Sequence, residues 1–86
     1  MIYYVMPTVL QIGNIRVIIY TNDHPPPHVH AVKGNEARAR FALNGPDGPV
    51  ELMEQEGFKP TEVRKIGEAI AENLTAICEK WSEIHG

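Results

Sequence analysis

The sequence lacks several features that would assign it to a broad class. Its 86 residues contain one cysteine, Cys78, so no disulfide can form within the chain, as is usual in a reducing cytosol. No apolar run approaches the roughly 20 residues of a membrane span. The first residues also lack the basic region and long apolar stretch of a signal peptide. We therefore expect a cytoplasmic protein with no membrane contact.

Positive charge and the familiar catalytic motifs are also scarce. The net charge is −3, and no basic block is present, which argues against general binding to a nucleic-acid backbone. A local contact with RNA through a few arginines stays open. The sequence contains no phosphate-binding glycine loop, serine-nucleophile motif, paired cysteines or dinucleotide fingerprint. It therefore predicts no cofactor.

The first two thirds of the chain predict a small sheet. Runs of β-branched and apolar residues flank the pairs Gly13-Asn14 and Gly34-Asn35, a pattern typical of β-hairpins. A further run could form a short strand or one helical turn. The predicted strands cover residues 8–12, 15–21, 28–33 and 36–43, with residues 50–53 as the undecided run. We expect four to five mostly antiparallel strands within residues 8–53.

The last third predicts one long helix over residues 60–84. Pro60 suits the first helical position, and Glu62 suits the positive end of the helix dipole. Apolar residues recur at spacings of three and four and form one stripe. These residues are Val63, Ile66, Ile70, Leu74, Ile77, Trp81 and Ile84. The fold class is therefore α+β, with the sheet packed against one long C-terminal helix in a single domain of residues 1–86. If Met6 is the start, residues 1–5 are an N-terminal extension.

The predicted length of the helix indicates a surface for a partner. A helix of about 25 residues spans about 37 Å, which exceeds the width of a small four-stranded sheet. Its C-terminal half should therefore overhang the sheet. Trp81 and Ile84 lie in that half and are the candidate partner-binding residues.

The segment Asn22–His30 carries three of the four histidines, separated by three consecutive prolines. His28 and His30 are two residues apart on a predicted strand, so both point to one face with Cα atoms about 6.6 Å apart. A straight polyproline run would place His24 about 12 Å from His28. Asp23 has the same difficulty. The candidate catalytic residues are His28 and His30, with His24 as a weaker third.

Three interpretations of the segment are open. A metal site would use His28 and His30, but no third ligand is obviously placed, so no ligand set is predicted. General acid–base chemistry would use the same pair, as in metal-independent ribonucleases. In a structural role, backbone carbonyls and Asp23 would satisfy the imidazoles while the prolines fix the path into the strand.

Arg38 and Arg40 are candidate substrate-binding residues, and the hairpin register decides whether they can help the histidines. A two-residue turn at Gly34-Asn35 pairs Lys33 with Glu36 and places both arginines on the opposite face. A three-residue turn would shift the pairing by one residue and unite arginines and histidines. The charge pair favours the two-residue turn.

The sequence resembles a family of small prokaryotic proteins catalogued as domain of unknown function 4160. The resemblance rests on Met6-Pro7-Thr8-Val9, on Tyr20-x-Asn22-Asp23-His24-x-Pro26-Pro27-His28-x-His30, and on the helix that carries Trp81. It covers nearly the whole chain from Met6. Members are commonly encoded beside a second small protein, an arrangement like that of a toxin–antitoxin pair. His24, His28 and His30 match the family's signature, which implies no catalytic role for them.

The resemblance implies a toxin–antitoxin-like subunit that binds a small protein partner. The expected partner is a cognate antitoxin, and a homo-oligomer is also compatible with the sequence. The alternatives are a small metal-independent nuclease that uses the His28/His30 pair, or a metal-binding domain. Whether the chain is an enzyme stays open at this point.

Overall fold

The computed structural model describes residues 8–86, so residues 1–5, an N-terminal extension if Met6 is the start, lie outside the described residues. Within this range five strands precede two helices, which confirms the α+β class. The strands are β1 (Thr8–Ile12), β2 (Ile15–Ile18), β3 (His28–Lys33), β4 (Ala37–Ala42) and β5 (Glu51–Glu56), and the helices are α1 (Pro60–Glu72) and α2 (Leu74–His85).

The strands form one antiparallel sheet in the order β1-β2-β3-β4-β5. The hairpin predicted at Gly13-Asn14 is confirmed, since Ile12 pairs with Ile15 across it. The run that the sequence left undecided is a strand, β5. All six of its residues are exposed, and it lies at one edge of the sheet.

The register predicted for the second hairpin is wrong by one residue. Lys33 pairs with Ala37, so the connection has three residues, and the backbone N–H of Glu36 donates to Lys33 O at 2.9 Å. His30 therefore pairs with Arg40. This register matches the apolar residues of the two strands on one face, and the arginines consequently share the other face with the histidines.

The core lies between one sheet face and the helices. Val29 and Ala31 pair with Phe41 and Ala39, and each of the four is at most 5% exposed. A Cβ at Gly67 of α1 would lie 3.6 Å from the Phe41 ring, so α1 runs directly over this face. The residues of the stripe that are buried in the helices are Ile66, Ile70, Leu74, Ile77 and Trp81.

The single long helix predicted for residues 60–84 is two helices. The break is at Asn73, whose φ of −115° and ψ of 18° are not helical. Its side-chain amide donates to Ala69 O at 2.8 Å, the competition with backbone bonding that makes asparagine a poor helix former. No helix in residues 8–86 has the length and apolar character needed to cross a bilayer.

The predicted overhang of Trp81 and Ile84 is not present. Trp81 is 6% exposed, and Ile84 is partly buried against the core. The Trp81 ring lies between His28 and His85, with centroid distances of 5.4 and 4.1 Å. His85 is thus partly covered by this ring. Trp81 at the end of α2 therefore packs against the start of β3 instead of projecting beyond the sheet.

Gly57 joins β5 to the helices at a point where a side chain has no room. Its φ is +90°, and an added Cβ would overlap the backbone oxygen of Glu36. We expect Gly57→Ala to lower the free energy of unfolding by roughly 2 kcal/mol or more, because strain and a backbone clash add together. Gly13→Ala is the control, since Gly13 also has a positive φ but no atom within 4 Å of an added Cβ. Equal losses in urea denaturation would contradict the clash.

An ion pair joins the sheet to the start of α1. Lys33 Nζ lies 2.9 Å from Glu62 Oε2, and Glu62 Oε1 accepts the backbone N–H of Lys59 at 2.9 Å. The Lys59 hydrogen bond, followed by the Lys33 ammonium, lowers the pKa of Glu62 below its ordinary 4.5. Hydrogen bonding to Glu62 raises the pKa of Lys33.

These shifts predict a pH dependence of stability. A carboxyl group with a lowered pKa in the folded state stabilises the fold above its unfolded pKa, and the contribution is lost as pH falls through the folded value. We therefore expect stability to decline below about pH 4.5, and Glu62→Gln to flatten this part of the profile. Urea midpoints measured from pH 3 to 7 test it, with Glu68→Gln on exposed α1 surface as the control. Parallel profiles for Glu62→Gln and the unmodified chain would contradict the assignment.

Candidate metal site

A tight turn between β2 and the proline run positions Asp23. The backbone N–H of Asp23 donates to Tyr20 O, and the Tyr20 N–H donates to Asp23 Oδ2, both at 3.1 Å. Asp and Asn favour such turns because their side chains bond the nearby backbone. The turn leaves Asp23 Oδ1 directed at the start of β3.

Two imidazoles face that oxygen. His28 Nε2 lies 3.4 Å and His30 Nε2 3.3 Å from Asp23 Oδ1. The three side chains are 12–26% exposed, so they are neither sealed in the core nor freely solvated. One ligand atom from each lies within 4.8 Å of the other two. The structure therefore brings a carboxylate and two imidazoles to a common point.

The second nitrogen of His28 fixes the state of its ring. His28 Nδ1 lies 2.9 Å from the carbonyl oxygen of Pro26, which can only accept a hydrogen bond. Nδ1 must therefore carry a proton, and in the neutral ring Nε2 presents its lone pair to Asp23. This lone pair and the Asp23 carboxylate oxygen, 3.4 Å apart, could hold a cation between them.

His30 lies among aromatic neighbours beside the second arginine of β4. Its ring centroid is 4.6 Å from Tyr20 and 5.1 Å from His28, in edge-to-face arrangements. Burial is the largest effect on the pKa of His30 and lowers it below the ordinary 6.5, although Asp23 acts in the opposite direction. The neutral ring is thus the form favoured at pH 7.

Arg40 pairs with His30 across β3 and β4, on the face away from α1. A cavity of about 410 Å³ lies over Asp23, His28, His30 and Arg40. A neighbouring cavity of about 580 Å³ also includes His30 and Arg40, and extends past Arg38. The register thus unites the predicted histidine pair with the predicted arginines.

Sequence reasoning placed some of these residues correctly and missed one. His28 and His30 share a site as predicted, but His24 is exposed and lies outside the three-residue cluster. The expectation that Asp23 is too distant from His28 is wrong. Its Asn-Asp neighbourhood, a strong turn signal before the prolines, could have indicated that the chain bends back there.

Comparison with known proteins adds a family but no function. No curated protein and no solved structure gives a significant match. A family model described as "Domain of unknown function (DUF4160)" matches residues 14–82, which includes the turn, both histidines of β3 and most of α2. The match covers well over half of the sequence, and the chain therefore belongs to this family of domains of unknown function.

Proposed function

We propose that the chain is a metal-binding domain in which Asp23, His28 and His30 hold one divalent transition-metal ion. The observation that carries the proposal is the pair of oxygen–nitrogen distances, 3.4 and 3.3 Å. Charge-assisted N–H···O bonds are usually about 2.7–2.9 Å long, so both contacts are long for direct ion pairing. Two donors on one tetrahedral zinc ion, each bonded at about 2.1 Å, lie about 3.4 Å apart.

The surrounding contacts also suit a metal site. Histidine ligands usually donate their other ring N–H to a carbonyl or carboxylate, which fixes the tautomer. His28 has this arrangement with Pro26 O. Asp23 is held in the same way, since its second oxygen accepts the Tyr20 N–H. His28 and Asp23 thus each keep one potential metal-ligand atom, Nε2 and Oδ1, directed at the common point.

The metal-independent nuclease finds less support in this geometry. A general acid or base must reach a substrate proton with a ring nitrogen. Both nitrogens of His28 face protein atoms, Pro26 O and Asp23 Oδ1. Direct proton transfer between a substrate and His28 would therefore require the His28 ring to leave these contacts.

Three protein ligands would leave a coordination position for water or a substrate. Zinc sites with four protein ligands are usually structural, whereas catalytic sites combine three with an exchangeable position. The cavity over the cluster gives that position room. A Lewis acid or an activated water is the chemistry such a centre would supply.

Metal titration of chelator-treated, untagged protein tests this proposal. We expect ZnCl₂, and in separate runs MnCl₂ and NiCl₂, to give saturable calorimetric binding at one ion per chain. A free ion concentration of 100 Kd should stabilise the fold by about 2.7 kcal/mol and raise its melting temperature. If no ion binds, the same contacts have the structural role in which Asp23 and Pro26 simply satisfy the histidines.

We also propose, following the family resemblance, that the chain is a toxin–antitoxin-like subunit with a small protein partner. Its support in the structure is β5, an edge strand whose outer backbone groups have no neighbouring strand in the described sheet. Leu52 and Met53 on this strand are 44% and 56% exposed. An exposed edge with apolar side chains can add a strand from a second protein.

Co-expression with the protein encoded beside this one tests the partner. A complex on size exclusion, together with growth inhibition that the neighbour relieves, is the expected result. Leu52→Glu with Met53→Glu should dissociate it, whereas Thr75→Glu with Ala76→Glu adds the same charge at exposed positions of α2 and should not. Absence of both a complex and a growth effect would exclude the role.

A further inference from the structure

We infer that Arg40 binds a phosphate group beside the Asp23–His28–His30 cluster, so that the site takes a phosphate-bearing ligand. The inference rests on the proposed metal site for the ligand's second contact, but Arg40 itself can be tested without metal. Arginine presents a planar set of donors that matches phosphate oxygens in a bidentate manner. Arg40 has the position and the free donors for this role.

Arg40 has hydrogen-bonding capacity that the protein leaves unused. Its Nε is buried and has no partner among the described residues. A buried donor without an acceptor destabilises the fold, so such groups usually have a ligand, an ion or water as partner. Among residues 8–86, its guanidinium has one carboxylate within 4 Å, that of Glu54, which lies at a long 3.5 Å and is itself 67% exposed. An exposed pair of this kind is weak enough for a phosphate to displace.

The two cavities on this face meet at Arg40 and His30. One contains the cluster, and the other extends along β4 to Arg38 and Glu56. A phosphate bound by Arg40 would therefore lie beside the Asp23–His28–His30 cluster. It would also have space on the Arg38 side for the rest of the ligand.

Further arginines continue along the same face. Arg38 lies two residues from Arg40, about 6.6 Å along the strand. Val32 of β3 pairs with Arg16 of β2 on one side and with Arg38 of β4 on the other, so both arginines lie on the same face of the sheet. An extended chain of phosphates could contact this row successively, whereas a single phosphate would use Arg40 alone. The source is thus either a single-stranded nucleic acid or a small phosphate compound, and both present the same oxyanion.

Binding measurements on matched variants test the inference. Probes are inorganic phosphate, uridine 5′-monophosphate and a fluorescein-labelled decauridylate, each with zinc-loaded and with chelator-treated protein. Arg40→Gln should weaken phosphate binding by about tenfold or more, because it removes charge-assisted bonds. Arg40→Lys, which keeps the charge but not the planar donors, should recover part of it. Arg64→Gln is the matched control, since Arg64 lies on α1 and makes a similarly weak pair with Glu68 at 3.7 Å.

Each outcome has one meaning. Selective loss in Arg40→Gln supports the inference, and added loss in Arg38→Gln for decauridylate alone identifies a nucleic-acid strand as the source. Equal effects of Arg40→Gln and Arg64→Gln, or no saturable phosphate binding, would overturn it. If zinc does not bind but Arg40→Gln still loses phosphate selectively, the metal proposal fails while the phosphate site stands. If zinc binds but phosphate does not, the metal proposal stands and the phosphate site fails.

Discussion

Asp23→Asn should weaken zinc binding by about 100-fold or more while leaving the fold intact. Changes to groups that merely support metal ligands already cost about 10–100-fold. This substitution acts on a ligand and removes the only negative charge of the cluster. The asparagine carbonyl oxygen can still accept the Tyr20 N–H, so the turn should persist. Isothermal calorimetry and far-UV circular dichroism together separate the loss of binding from unfolding.

Asp47→Asn is the matched control for this prediction. Asp47 lies in the exposed turn after β4 and has the same net-charge effect without a place in the cluster. We expect its zinc affinity to equal that of the unmodified chain within about twofold. His24→Ala should behave in the same way, because His24 is exposed and outside the cluster. Zinc affinity that is unchanged in Asp23→Asn would remove Asp23 from the ligand set and, with it, the support that the two distances give to a metal site.

The register of the second hairpin could have been predicted from the alternation of apolar residues. A cross-strand charge pair such as Lys33–Glu36, which favoured a two-residue turn, contributes only about 0.2–1 kcal/mol. In the structure Lys33 makes its shorter contact with Glu62, at 2.9 Å. Only a three-residue connection places Val29 and Ala31 opposite apolar residues of β4. Because burying apolar side chains stabilises the fold more than a surface charge pair does, core burial decided which face received the arginines.

The position of Asp23 could not be derived from spacing alone. A straight rod over residues 24–28 is not the path that the chain takes, because the Pro25–Pro26 peptide bond is cis, although His24 does lie outside the cluster. The rod takes no account of the turn at Tyr20, which returns the Asp23 side chain towards β3. Turn residues predict that a chain bends, but they do not predict which strand the Asp23 side chain will then face, and in the structure it faces β3.

The helix illustrates the opposite case, in which the pattern was right and the shape was wrong. Ile66 and Ile70 are buried in α1, and Leu74 and Ile77 are buried in α2, at the predicted spacing. A period of three and four reports which side of each turn faces the core. The same spacing is found in one continuous helix and in two consecutive helices whose buried residues face the same core. The apolar pattern therefore could not reveal the break at Asn73. The predicted overhang assumed one long helix, whereas the chain has two and Trp81 is buried.

Trp81→Ala should be the most destabilising change at the end of α2, with a loss of about 3–5 kcal/mol in the free energy of unfolding. The side chain is 6% exposed and belongs to the core cluster. Domains of this size have about 5–15 kcal/mol in total, so the variant would retain only part of its stability. Trp81→Phe keeps an aromatic ring at the site and should lose less. Urea denaturation followed by circular dichroism measures both, since Trp81 is the sole tryptophan and its fluorescence is lost with it.

The same substitution should also weaken metal binding, because Trp81 packs against a proposed ligand. Its ring lies 5.4 Å from the His28 ring and restricts the orientations that ring can adopt. Ligands whose neighbours no longer hold them must be ordered by the metal itself, which lowers affinity. Ile84→Ala is the control, because Ile84 is also partly buried at the end of α2 but is not one of the aromatic residues that pack against His28. It should leave zinc affinity unchanged. The opposite result is a Trp81→Ala variant that retains full stability and zinc affinity but no longer binds the protein partner. Trp81 would then be an interface residue, as the sequence predicted, and its contact with His28 would not contribute to function.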